Sequence, residues 1–329
     1  MACSLRLNLG RFDMWSRTHF SGALAFLAAA VTAPALPAWL VSLATIAFAN
    51  AFVVLGLVIL WRAGLVPFGQ ALFYAIGAYS VALIGRYTGL RDAFLMLAVA
   101  AASAGIVAFL GGYLLARYRD IFFAMLSLAM SMILYGVLVK TQTLGSTDGF
   151  HVETPTFLGY APRGQALNLA IFWLVLGLSA VAALLVRLYF RSVAGMLAVP
   201  VRDNEIRLEF LGISVTRLIH LKLVISGVLA GTGGALAAFA IAHVDPNMAY
   251  WTTSGGFVFV TILAGTSSVA AAFVGSFVFE LVRSIAVDIL PGAWQIILGS
   301  VLLLTILFLP EGLGSVLSRF KRRAPAVAP

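Results

Sequence analysis

The chain has 329 residues, of which 62% are hydrophobic and 10% charged, with a formal net charge of +9. Soluble domains run about 45–50% apolar and about 25% charged, so this composition excludes a water-soluble globular fold. The basic residues are spread over short loops between apolar runs, a positive-inside pattern rather than a nucleic-acid-binding surface. The single cysteine, Cys3, excludes an intrachain disulfide and a cysteine-based metal site.

Inside lipid every backbone N–H and C=O must be paired internally, so only helices or a closed barrel can span. The apolar runs are continuous, Ala/Leu/Val/Gly-rich and about 20 residues long, as spanning helices are. They lack the dyad alternation of barrel strands. The expected fold class is all-α and polytopic, with eight to ten membrane segments.

In chain order, a tail over 1–19 precedes a membrane domain over 20–310. Its segments are expected at 20–36, 39–61, 66–86, 93–116, 121–140, 167–189, 218–243, 253–266, 268–288 and 293–310, and a basic tail follows over 311–329. The run 253–266 is too short to cross a ~30 Å hydrocarbon core, so it reads as a re-entrant half-span. The basic N-terminus, ALAFLAAAV and Ala33-Pro34-Ala35 also outline a signal peptide. The long basic region and the span that follows at once favour an uncleaved segment.

With the N-terminus inside, sixteen Lys and Arg fall on the inner side and four on the outer (Arg86, Arg91, Lys140, Arg163). This bias places both termini and the loop 190–217 in the cytoplasm, and the loop 141–166 outside.

No phosphate loop, H-E-x-x-H, nucleophile elbow or catalytic carboxylate pair is present, so neither an enzyme nor a cofactor is expected. The glycines Gly227, Gly231, Gly233 and Gly234 fall within a span and read as close helix packing. Glu280 and Arg283, three apart on one span, can pair on one helix face. Such a pair is either structural, with Arg283 reaching toward the outer interface, or a polar group facing a path or partner. A relay of protonatable residues across the membrane is missing.

The most charged stretch is VPVRDNEIRLEFLGI, residues 199–213, where five of the eight residues from Arg202 to Glu209 carry charge. Pro200 can start a helix and Gly212 can end it, giving about 11 residues or roughly 16 Å. Ser214 or Thr216 can cap the span that follows. At 100° per residue Ile206, Phe210 and Ile213 form a narrow apolar stripe, flanked by Arg202 and Glu209 and by Asp203 and Arg207. The stripe is too narrow for lying on lipid and suits a protein groove with a charged rim.

Four stretches resemble the LivM-type inner-membrane permease of branched-chain amino acid ABC importers. LVPFGQALFYAIGAYSVAL (65–83) is similar to the family's L-S-x-G-Q-x-x-F-x-G-I-G-A-Y element through Gly69, Gln70, Phe73, Ile76, Gly77, Ala78 and Tyr79. YRDIFFAMLSLAMSMIL and TLGSTDGF resemble its Y-F-A-x-x-T-L-A run and T-G-G-x-D-G loop, matching at Phe123, Ala124, Leu128, Ala129, Asp148 and Gly149. RSVAGMLAVPVRDNEIRLEFLGISVTRLIHLKLVISGVLAGTGGAL is the most specific match, and ILGSVLLLTILFLPEGLGSVL is similar to the family's ending. The chain departs at AGTSSVAAAFVGS (264–276), where glycines and a proline of the family pattern are missing. It departs also at Pro67, Ala75, Ser127 and Pro200.

The resemblance implies a permease in the bacterial inner membrane without chemistry of its own. It implies a second related permease, two cytoplasmic ATP-binding subunits and a periplasmic substrate-binding protein as partners, besides the lipid bilayer. It makes Arg202, Asp203, Asn204, Glu205, Ile206, Arg207, Phe210 and Gly212 a coupling helix for the ATPase. The outer loop with Gly145, Asp148 and Gly149 is either an ordinary linker or the docking place of the binding protein. Path candidates are Gly69, Gln70, Phe73, Gly77, Tyr79, Glu280 and Arg283, with core packing the other reading for Phe73 and Tyr79. The substrate stays open between branched-chain amino acids and urea, amides or aromatic acids; the other readings are a self-contained secondary transporter or channel and a membrane-embedded enzyme or scaffold.

Overall fold

The computed structural model describes residues 36–266, 268–309 and 312–314, together with Thr32 and Pro34. Almost all of the first expected segment and of both tails lies outside the described residues. The helices in chain order are α1 (Ala38–Trp61), α2 (Gln70–Thr88), α3 (Ala93–Leu115), α4 (Asp120–Lys140) and α5 (Gln165–Arg191). Three short pieces follow, α6 (Val193–Met196), α7 (Ala198–Asp203) and α8 (Glu205–Phe210). Then come α9 (Val215–Ile241), α10 (Trp251–Ala264), α11 (Val269–Ile289) and α12 (Trp294–Phe308).

Six of these, α1, α3, α4, α5, α9 and α11, are long and apolar enough to cross a membrane. The protein is an all-α, multi-pass membrane protein. Local signals set several ends. The Asp92 carboxylate accepts from the Phe94 and Leu95 amides at 3.0 and 3.2 Å and starts α3. Gly89, with φ 68°, closes α2 in a left-handed cap. α2 runs unbroken through Gly77 and Gly85.

The core lies around α9, which packs on α1, α2 and α3. Its glycines explain how. A Cβ on Gly231 would overlap Ala104 of α3, one on Gly234 the backbone of Tyr74 on α2, and one on Gly233 the backbone of Ala49 on α1. Without a hydrophobic drive between helices in lipid, close backbone approach supplies the dispersion energy. α4 is the opposite case, with most of its surface exposed.

Two features shape the ends. At the outer end the loop between α4 and α5 is pinned. Phe150–His151 pairs antiparallel with His243–Val244, the Val152 amide donates to Ala242 O at 3.0 Å, and Arg91 bridges Glu153 at 3.0 Å. After α9 the chain turns back into the protein. Ser131 lies about 16 Å along α4, and its hydroxyl donates to the carbonyl of Ala249 at 2.8 Å. The 14-residue α10 therefore starts near the middle of the membrane, as the half-span at 253–266 led one to expect.

Candidate coupling and translocation site

The charged stretch is not one helix. It folds as α7 and α8, broken at Asn204, whose backbone is extended (φ −165°, ψ 100°). The Asn204 side chain accepts from the Arg207 amide at 3.1 Å, so it caps α8 rather than continuing α7. Pro200 sits within the first turn of α7, where its missing N–H is not needed. Gly212, at φ 81°, does end the segment.

One face of the pair is anchored. Val201 of α7 and Leu208 of α8 are buried with Leu60, Leu115, Phe123 and Ile219 in an apolar cluster under the helix ends. Ile213 packs on the same cluster, so it leaves the expected stripe: Gly212 turns the chain before it. The Glu205 carboxylate accepts from Arg119 Nε at 2.6 Å, joining α8 to the α3–α4 turn. The Arg202 stem lies on Gly64, and its head meets Asp203 at 3.5 Å.

The other face is bare. Ile206, Leu211 and Phe210 are exposed, Phe210 to 88%. Arg207 and Glu209 are exposed beside them, a charged margin to an apolar tip.

Beneath this segment two cations are tied down. Lys222 is fully buried and donates to Tyr189 Oη at 3.1 Å and Ala194 O at 3.0 Å. Arg62 donates to Thr266 O at 3.1 and 2.9 Å from two nitrogens and lies 3.8 Å over the Phe190 ring. The end of α5, the start of α6 and the α10–α11 turn are thus fastened to α1 and α9. In that turn Gly265 ends α10 and Ser268 caps α11 through the Ala271 amide at 3.2 Å. The α10–α11 turn therefore forms without the additional glycines of the resembled pattern.

Near mid-membrane three serines from three helices meet the start of α2. Ser127 Oγ of α4 accepts from the Phe68 amide at 3.0 Å, and Ser254 Oγ of α10 from the Ala71 amide at 2.9 Å. Ser226 Oγ of α9 accepts from Gln70 Nε2 at 2.8 Å. Gln70 is 1% exposed and its Oε1 has no hydrogen-bond partner. Gly69 abuts the Ser127 backbone and Gly77 that of Gly231. Phe73 and Tyr79 are buried, and Tyr79 stacks edge-on at 5.8 Å from Phe150. Within this subunit these five path candidates are interior contacts. The open surface lies beside them, where Trp251 and Thr252 of α10 are exposed and nothing stands against Gly255 or Gly256.

Glu280 and Arg283 do pair, at 3.4 Å, with the Glu280 side chain largely buried and Arg283 lying 5.5 Å from the Trp294 ring. Nearby Tyr74 Oη donates to Asn50 Oδ1 at 3.3 Å. Sequence reading missed Asn50 and Tyr74. The signal available was a lone asparagine inside an apolar run, which costs free energy in lipid unless paired. On the outer loop Gly145 (φ 88°) and Gly149 (φ 66°) shape the turn, and Asp148 is exposed.

Residues 39–307 match the family described as branched-chain amino acid transport system / permease component. The chain belongs to this family. It is similar to the high-affinity branched-chain amino acid transport system permease protein LivM of Escherichia coli strain K12. The two are 28% identical over 287 residues, covering 80% of this chain and 67% of that protein. The LivM protein of Salmonella typhimurium is 27% identical over 292 residues with the same coverage. The autoinducer 2 import system permease protein LsrC of an Enterobacter species is 28% identical over 182 residues, 52% of this chain and 48% of that one. No solved structure gives a significant match. The family match takes in α1 through nearly all of α12, so α7–α8, the short α10 and the serine cluster all lie within the matched residues.

Proposed function

We propose that this permease is one half of the membrane path of an ATP-driven importer for branched-chain, hydrophobic amino acids in a bacterial inner membrane. The observation that carries the reading is the α7–α8 segment. Its inner face is locked to the protein by Leu208, Val201 and the Arg119–Glu205 pair, while Phe210 stands 88% exposed among charges on the side the loop-charge bias assigns to the cytoplasm. A large aromatic held in water on a rigid mount fits a pocket in a partner. In this reading the partner is a cytoplasmic ATP-binding subunit, two of which serve a pair of related permeases. Closure of the ATPases would move α7–α8 as a rigid unit.

The half-span start and the first turn of α2, with Gly69, Gln70, Phe73, Gly77 and Tyr79 behind them and Glu280 and Arg283 on the neighbouring α11, would border the path between the two permeases. Broken helices at mid-membrane are where transporters bind their cargo. The outer loop with Gly145, Asp148 and Gly149 would receive the periplasmic binding protein. The relative named for autoinducer 2 import shows that related permeases serve more than one cargo. Urea, amides and aromatic acids, left open by the sequence resemblance, are the alternatives to branched-chain amino acids.

Co-expression with the neighbouring ATPase, second permease and binding protein tests the reading. ATPase recovered with the wild-type chain and lost with Phe210→Asp supports it. Uptake of the amino acid by the lone chain in liposomes, driven by an ion gradient, would replace it with a secondary transporter.

A further inference from the structure

An open cavity of about 230 Å³ lies at the inner ends of α3 and α9, walled by Tyr113, Arg117, Ser214, Thr216, Arg217 and His220. Two guanidiniums, an imidazole and three hydroxyls border one space, and no carboxylate lines it. Neither Arg117 nor Arg217 has a carboxylate partner among the described residues. Arg117 lies only over the Tyr113 ring, at 5.2 Å. The neighbouring Glu205 is already held by Arg119.

One wall of the cavity is set in place. His220 Nε2 is 2.8 Å from the carbonyl of Phe109. A carbonyl only accepts, so Nε2 carries the hydrogen and Nδ1 is not used in that bond. The ring is braced edge-on by Phe109 at 4.9 Å and Tyr113 at 6.1 Å. Ser214 begins α9 without its hydroxyl capping the helix. Forked guanidiniums with hydroxyls around them suit the oxygens of a phosphate.

The surface above the cavity indicates which phosphate. Phe109, Leu110, Tyr113 and Leu114 of α3 and Leu221 of α9 are exposed. They form an apolar strip leading from the cavity along the spanning helices. A soluble phosphate has no use for such a strip, whereas acyl chains do. The loop charges put the cavity on the inner side, at headgroup level.

We infer that this cavity binds the phosphodiester headgroup of an anionic phospholipid of the inner leaflet, with its acyl chains along the exposed face of α3. Ser214 follows the coupling segment by only two residues after Gly212, so the lipid would brace the junction between α8 and α9.

Native mass spectrometry of the full chain tests this, with phosphatidylglycerol and phosphatidylcholine of identical acyl chains as probes. The chain should retain phosphatidylglycerol in preference. Arg117→Ala with Arg217→Ala should weaken that retention by about thirtyfold, the effect of two surface cations at anionic lipid. The double lysine variant should keep the preference. Thermal stabilisation of the unaltered chain by phosphatidylglycerol over phosphatidylcholine gives a second readout that needs no variant. Equal retention of the two lipids, or unchanged retention in the alanine variant, overturns the proposal. Displacement of the lipid by inorganic phosphate would make the cavity a soluble-anion site and also overturn it. So would loss of ATPase binding in the alanine variant with lipid retention intact.

Discussion

Arg119 and Glu205 meet at 2.6 Å with about a quarter and a third of their side chains exposed. Such a pair adds only about 0.2–1 kcal/mol to stability, so its importance here is positional. Glu205→Arg should leave the melting temperature in detergent within a few degrees yet reduce substrate uptake strongly, and Arg119→Glu with Glu205→Arg should restore much of it. Uptake in the reconstituted complex measures both. If the double reversal stays as inactive as the single one, the pair does not orient α8. Gly77 makes the opposite case. A Cβ there runs into the Gly231 backbone, which no side-chain motion relieves. Gly77→Val should cost about 1–3 kcal/mol or more by overpacking, seen as a lower melting temperature and a poor yield.

At the scale of elements, α8 is proposed to present its tip to a partner and α10 its start to a path. Phe210→Asp should leave folding intact, because the ring touches so little of its own chain, and should lower ATPase co-purification by tenfold or more. A variant that still binds the ATPase at full strength would remove α8 from the interface. On the outer loop Asp148→Arg should weaken binding-protein affinity without disturbing the strand pair Phe150–His151 with His243–Val244; surface plasmon resonance on the purified complex reads it. The half-span was legible because 14 apolar residues cannot cross a bilayer, whatever they pack against. The charged α7–α8 segment was legible at its ends, through Pro200 and Gly212, and illegible at its middle. Asn204 sits in a run of charges that continues a helical surface pattern, and only its side-chain bond to the Arg207 amide reveals the break. Leu208 escaped notice as the anchor because polarity drew the apolar stripe on the other face. Asn50 with Tyr74, and the serines that meet at the start of α2, depend on contacts between distant segments, which periodicity does not encode.

For the whole molecule, the ties run from the inner helix ends to the start of α2 near mid-membrane. α8 is joined to the α3–α4 turn, Lys222 and Arg62 fasten the ends of α5 and α10, and Ser254 links α10 to α2. In the proposed reading, a push on α8 would reach the start of the half-span through these hydrogen bonds and the packed apolar contacts between them. The expected consequence is that ATP hydrolysis and uptake change together. Ser254→Ala should lower the amount of substrate moved per ATP with little loss of complex recovery; an unchanged ratio would disconnect that bond from the transmission. The glycine faces of α9 carry a different consequence, for the history of the sequence. Around α9 the room for side chains is already used up, so Gly231, Gly233 and Gly234 can drift to almost nothing. Across the exposed flank of α4, Ile121, Phe122, Met125 and Ile133 can exchange with any residue of similar oiliness. Two chains of this family could therefore diverge over most of their letters while α9 hardly changes.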